Sequence, residues 1–202
     1  MNKKTVSEIS YHWYWLYSLF IVILIISPSL VLLKFSNSVN RQADELFVST
    51  VQEKSYGIPK RLEISSINVD ATVESVGLTP EGAMDTPVDP DNVGWYNLGP
   101  RPGEQGSAVI DGHLDKEDQS RAVFADLAEV NIDDIVSVID DQGKKLNFIV
   151  KEVRMYNADD DTNEVFNNND GVFLNLITCA GYWDKDKQNY DQRRVIFTEL
   201  IK

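Results

Sequence analysis

Leu174-Asn175-Leu176-Ile177-Thr178-Cys179 is an apolar run of strand-like texture that meets Ala180-Gly181, a pair that frees the backbone to turn away. This places a thiol at a strand end, beside an opening. Outward from this run the same texture recurs at residues 61–64, 71–76, 107–110, 135–139, 146–156 and 195–201, with Gly, Pro, Asn and Asp between the runs. Short β-branched runs separated by turn signals predict an all-β barrel or sandwich rather than alternating βαβ units. A short helical connector is expected at 122–127, where Val123, Phe124 and Leu127 fall at helical spacing. The stretches 79–106 and 157–171 read as long loops, which in compact domains more often carry function than not.

Ahead of this domain lies LYSLFIVILIISPSLVLL, residues 16–33, without a charge. It is long enough to cross most of a hydrocarbon layer roughly 30 Å thick. Tyr11, Trp13, Tyr14, Trp15 and Tyr17 supply an interfacial belt, and the run exceeds the apolar core of about 7–15 residues usual in a cleaved signal peptide. A retained anchor is expected. Lys3 and Lys4 before it are balanced by Lys34 and Arg41 after it, so the acidic remainder decides the orientation: an acidic face is repelled by the anionic cytoplasmic leaflet. The expected organisation is a cytoplasmic tip and one N-terminal transmembrane helix over 1–34, an extracellular spacer over 35–57 and a catalytic domain over 58–202. Such a chain is a single-pass plasma-membrane protein with an extracellular catalytic domain.

Composition removes several functions. The 202 residues carry a net charge of −13, one Cys and two His. No disulfide can form within the chain, the ligands for a structural zinc are too few, and an acidic surface repels nucleic acid. Asp159-Asp160-Asp161 with Asn163 and Glu164 offer oxygens to calcium, but without EF-hand spacing they read as a solvated turn, and no metal or other cofactor is expected.

Beyond the apolar run, Cys179 and His113 are the sole thiol and imidazole. If the domain does Cys-His chemistry, they must do it. His113 follows the apolar run 107–110 as Cys179 follows 174–178, so both end strands. Arg193 and Arg194 open the last run and offer a fixed cation for an oxyanion or substrate carbonyl. Alternation puts Arg193 on one face with Val195 and Phe197, and Arg194 on the other with Ile196 and Thr198, so only one can face the thiol. Trp183, between Cys179 and Arg193, is a candidate for substrate contact, whereas Trp95 and Tyr96 read as core anchors. The plain alternative is an inert buried thiol beside unrelated surface residues.

Leu176-Ile177-Thr178-Cys179, Gly112-His113 roughly 65 positions ahead of the cysteine, and Arg193-Arg194-Val195-Ile196-Phe197 resemble the three signatures of the sortase family. These are the TLxTC strand, a histidine after a small residue, and an arginine opening the last strand as R-x-[VI]-[VIF]. The resemblance also takes in residues 59–76, Val93-Gly94-Trp95-Tyr96 and Pro102-Gly103-Glu104-Gln105-Gly106-Ser107. It implies a closed eight-stranded sortase-type β-barrel with short helical connectors. It implies a cysteine transpeptidase in which Cys179 attacks the Thr-Gly carbonyl of an LPxTG-like sorting signal, His113 moves the protons and Arg193 holds the oxyanion. The partners so implied are sorting-signal proteins and a peptidoglycan precursor or other amine acceptor.

The arginine role goes to Arg193, five positions before Thr198, where the family usually has Ala; Arg194 remains the competitor, with Thr178 a candidate substrate-backbone contact. Asn175 departs from the family pattern, standing where the first Thr of the cysteine motif belongs. The lack of a second apolar span after Lys202 points away from the pilus-polymerising members, and the Val-Gly-Trp-Tyr and Pro-Gly-Glu segments look most like the subgroup labelled class F. Two other functions compete. One is a different extracellular thiol hydrolase, although in papain-like enzymes and cell-wall amidases the cysteine usually precedes the histidine. The other is a non-catalytic anchored β-domain that binds a partner.

Overall fold

The computed structural model describes residues 56–201; the apolar run 16–33 and nearly all of the spacer lie outside them. Among the described residues no helix is long and apolar enough to cross a membrane. The strands are β1 (Pro59–Ile64), β2 (Val69–Val76), β3 (Val93–Tyr96), β4 (Gly106–Gly112), β5 (Ile135–Asp140), β6 (Lys145–Asn157), β7 (Val172–Asp184) and β8 (Asn189–Leu200). They close into one barrel in the order β1-β2-β3-β4-β7-β8-β6-β5, with β5 returning to β1. Closure leaves no sheet edge exposed among these strands.

The β2–β3 and β4–β7 pairs are parallel and the remaining neighbours antiparallel. Alternation sorts each strand into two faces. Leu62, Ile64, Ile110, Phe148, Leu174, Leu176 and Ile196 turn inward and, with Phe124 and Leu127, fill the barrel. A second cluster, Val109, Tyr156, Val165 and Val195, packs on the outside of the wall under the one-turn helix α1 (Asn163–Asn167).

The sequence reading and the structure differ in four places. β3 was not foreseen; its four residues, Val-Gly-Trp-Tyr, are too few to show alternation. The expected helix at 122–127 is a series of turns followed by a 3₁₀ turn at Leu127–Glu129, because so short a segment gains too few hydrogen bonds to offset helix nucleation. Phe124 and Leu127 are nonetheless fully buried, as their spacing suggested. The stretch 157–171, read as loop, contains α1. Finally, β7 does not stop at Cys179. Gly181 takes φ +82° in a bulge between Ala180 and Trp183, and pairing with β8 resumes through Trp183–Tyr190 and Asp184–Asn189. The glycine serves a bulge rather than a turn, a device common beside functional sites.

Candidate active site

Strand register builds the site. The parallel ladder between β4 and β7 runs to Asp111 opposite Ile177. His113 directly follows β4, two residues past Asp111, and Cys179 lies on β7 two residues past Ile177. On the other flank of β7, Cys179 is directly paired with Arg193 of β8. Imidazole, thiol and guanidinium thus come from the end of β4 and from the adjacent β7 and β8. All three line a cavity of about 530 Å³, walled by Ala83, Met84 and Thr86 of the β2–β3 loop and by Ala158, Asp160 and Thr162 of the β6–β7 loop.

Each of the three is fixed by neighbours. The Thr178 hydroxyl, facing the barrel interior, donates to the Gly112 carbonyl at 2.7 Å and ties the ends of β7 and β4 together. Gly112 must lack a side chain, since a Cβ there would stand 2.5 Å from the Phe124 ring. The Phe124 amide in turn donates to the His113 carbonyl at 2.9 Å. His113 Nε2 donates to the carbonyl of Pro87 at 2.9 Å; the acceptor is a carbonyl, so the proton sits on Nε2. Glu74 holds the loop that carries Pro87, accepting from the amides of Val88 (2.9 Å) and Asp89 (3.2 Å) and from Asn92 Nδ2 (2.8 Å). The Arg193 guanidinium is held at the base of the β7–β8 hairpin, donating to the carbonyls of Tyr190 (3.0 Å) and Gln192 (2.8 Å) and to Asn189 Oδ1 (2.9 Å).

The electrostatics follow from this packing. Burial pushes the Cys179 thiol above its ordinary value, the adjacent Arg193 charge opposes that rise, and Asp115 and Asp111 add to it. Burial also pushes the Asp111 carboxyl up to about 8, with Asp85 and Glu74 contributing in the same direction. The amide hydrogen bonds and Asn92 lower the Glu74 carboxyl, Asn92 most. Tyr190 donates its hydroxyl to Asp115 Oδ2 at 2.5 Å, and that bond, followed by burial, raises its value to about 12.

The residues singled out from the sequence divide accordingly. Cys179, His113, Arg193 and Thr178 line the cavity. Thr178 is only 3% exposed and its hydroxyl proton goes to Gly112. Arg194, paired with Thr178 and Met155, points to the opposite face from the thiol and is not among the lining residues. Trp183 is 52% exposed, stacks edge-on against Tyr190 at 5.3 Å between centroids, and also lies outside the lining. Asn175, although on the outer face, is 2% exposed and donates to the Val165 carbonyl at 2.6 Å, pinning α1 to the wall. Among the described residues no three His, Cys, Asp or Glu side chains gather as a metal site. The acids of the β6–β7 loop are engaged locally: Glu164 with Arg154 and Tyr156, Asp160 with the Asn157 amide, Asp161 with the Asn163 amide.

Sequence reasoning missed Asp111, Glu74 and Pro87. For Asp111 there was a signal: it stands two residues before His113, and alternation puts the two side chains on one face. For Glu74 and Pro87 there was none, because a long loop carries Pro87 back past Glu74 on β2 to reach the histidine.

The sortase-domain family model matches residues 62–201. Among solved structures the chain is similar to sortase A from Corynebacterium diphtheriae (TM-score 0.57, 18% identity, 75% of this chain and 64% of that one). It is also similar to sortase C-1 from Actinomyces oris (TM-score 0.57, 19% identity, 70% and 73% covered). A third likeness is to the Clostridium perfringens sortase D5 transpeptidase (TM-score 0.55, 20% identity, 79% and 89% covered). This chain therefore spans a little under two thirds of the Corynebacterium enzyme. At such identities the likenesses speak for the fold. A comparison with curated proteins finds no match.

Proposed function

This chain belongs to the sortase family, and on that premise we propose a membrane-anchored cysteine transpeptidase that cuts an LPxTG-like sorting signal between Thr and Gly. The observation that carries the reading is that His113, Cys179 and Arg193 line one cavity. Partial burial holds the Cys179 thiol above its ordinary value, so attack begins with loss of its proton. With Nε2 donating to Pro87, Nδ1 is the His113 nitrogen available to take that proton.

The Cys179 sulfur then bonds to the threonine carbonyl carbon, and the carbonyl electron pair moves to oxygen, where the Arg193 charge offsets it. Collapse of this adduct breaks the C–N bond, and the glycine nitrogen leaves with the proton held by His113. What remains is a thioacyl enzyme. An incoming amine reverses the sequence: it attacks the thioester carbon and gives a proton to His113, and the proton returns to the departing sulfur. The acceptor is an amine of a peptidoglycan precursor or of another protein's lysine.

The charge-free run 16–33 supports anchoring in the plasma membrane, and the acidity of the rest supports an extracellular catalytic domain. Val93-Gly94-Trp95-Tyr96 and Pro102-Gly103-Glu104 support placement near class F. Incubating the full chain with sorting-signal peptides and triglycine, and reading products by mass, tests the whole proposal. A peptide–triglycine adduct that disappears in Cys179→Ala supports it. Hydrolysis indifferent to triglycine would assign the chain to the other thiol hydrolases, and full cleavage by Cys179→Ala would end it.

A further inference from the structure

Beyond the bulge at Gly181 the β7–β8 hairpin is open to solvent: of residues 181–191 all are exposed except Asp184 and Tyr190. Asp184 serves the hairpin's own turn, where its Oδ1 accepts from the amides of Asp186 (2.9 Å) and Lys187 (3.2 Å). Tyr190 reaches out of the hairpin instead. Its hydroxyl donates at 2.5 Å to Asp115 Oδ2, 75 positions away in sequence. Asp115 is a fixed post. It lies two residues past His113 and pairs with Arg121 in an isolated bridge, the turn between them closed by the Lys116 amide on the Ser120 carbonyl at 2.9 Å. Lys116 Nζ is held in turn by Asp91 at 2.6 Å.

Among the described residues the Arg193 guanidinium finds its hydrogen-bond acceptors only in the hairpin, at the Tyr190 and Gln192 carbonyls and at Asn189 Oδ1. Arg193 therefore goes where the hairpin goes. The hairpin's other ties reach the β6–β7 loop: the Ala158 amide donates to the Asp191 carbonyl at 2.8 Å, and Lys187 meets Asp159 at 3.5 Å in an exposed pair of little weight. Tyr190 alone joins it to the segment that carries the histidine. One residue thus links cation to base, from Arg193 to the Tyr190 carbonyl and from the Tyr190 hydroxyl to Asp115, two residues past His113. Cys179 lies on β7, the strand between β4 and β8. The bond to Asp115, and after it burial, keep the hydroxyl protonated up to about 12, so the link stays closed at neutral pH.

We propose that Tyr190 is a positioning residue for the reaction: its bond to Asp115 clasps the β7–β8 hairpin to the segment after β4 and so holds the Arg193 guanidinium against the carbonyl that Cys179 attacks. The inference rests on the proposed function and adds to it the device that sets the cation relative to the base. The clasp acts on the transition state, because the charge that Arg193 offsets develops only as the sulfur bonds to carbon.

The test compares kcat, KM and Tm for the full chain and its variants, with a sorting-signal peptide and triglycine as substrates. Tyr190→Phe keeps the ring and the carbonyl and removes only the hydroxyl. It should lower kcat about tenfold while KM for the peptide and Tm stay close to wild type, since a displaced cation weakens the transition state and not the bound peptide. Asp115→Ala should match it, and the two together should fall no further than one alone. Asp115→Asn, whose amide oxygen still accepts, should keep most of the wild-type kcat. A kcat in Tyr190→Phe within about twofold of wild type, a loss carried by KM, or an equal loss in Asp115→Asn and Asp115→Ala would overturn this inference alone. A wild type that cleaves no sorting-signal peptide would overturn the proposed function and this inference with it.

Discussion

A carboxyl withdrawn from water loses hydration, and Asp111, bonded by its own backbone amide but with Oδ1 unpartnered, recovers only part of it. For Asp111 the cost depends on pH in a definite direction. Its value rises from 3.8 to about 8 on folding, so between those limits the unfolded chain has released a proton that the folded chain still holds. Stability therefore falls as pH climbs through that window, and no further above it. Thermal unfolding of Asp111→Asn should show a shallower decline than wild type, with the higher Tm at pH 8 and a difference that shrinks toward pH 4. Cys179 gives the second test at this scale. Burial raises the thiol and Arg193 opposes it, so iodoacetamide should alkylate the native cysteine slowly at pH 7 and faster as pH rises. Arg193→Ala should push the alkylation midpoint further up the pH scale, while Arg194→Ala, on the opposite face, should leave it in place.

Loops and strand ends decide where the histidine sits. Glu74 on β2 holds the Val88 and Asp89 amides and the Asn92 side chain, and the segment so anchored presents the Pro87 carbonyl to His113. Glu74→Ala should cost about 1–3 kcal/mol locally. It should lower kcat about tenfold with a small change in Tm, and Glu74→Gln should recover part of the loss, because the amide oxygen still accepts. None of this was legible beforehand: a carboxylate on one strand and a proline thirteen residues later share no periodicity. The other strands were legible because β-branched residues alternate along them, as in residues 71–76 and 146–156. β3 is four residues long and carries a glycine, and the outer half of β7 is written in Gly-Tyr-Trp-Asp, which reads as loop until Gly181 is seen in its bulge. Cys179 and His113 stood out by scarcity and by family resemblance. Parity along β8 separated Arg193 from Arg194, but only the register with β7 showed which of the two faces the sulfur.

At the scale of the molecule, the barrel wall is continuous only because distant segments meet. β4 and β7 lie side by side and parallel, yet β5 and β6 intervene in the chain and complete the far side of the barrel. Topologies dominated by such non-local pairing fold in milliseconds to seconds rather than microseconds. After dilution from denaturant, transpeptidation should recover with the slowest folding phase, later than the return of β-structure followed by circular dichroism; recovery in step with the earliest phase would contradict this picture. The parallel pairing of β4 and β7 also has a biological consequence. A chain still emerging from synthesis, with β4 made and β7 not, carries its imidazole without its sulfur. The reactive centre does not exist until β4 and β7 have paired, so a half-made barrel is a harmless one.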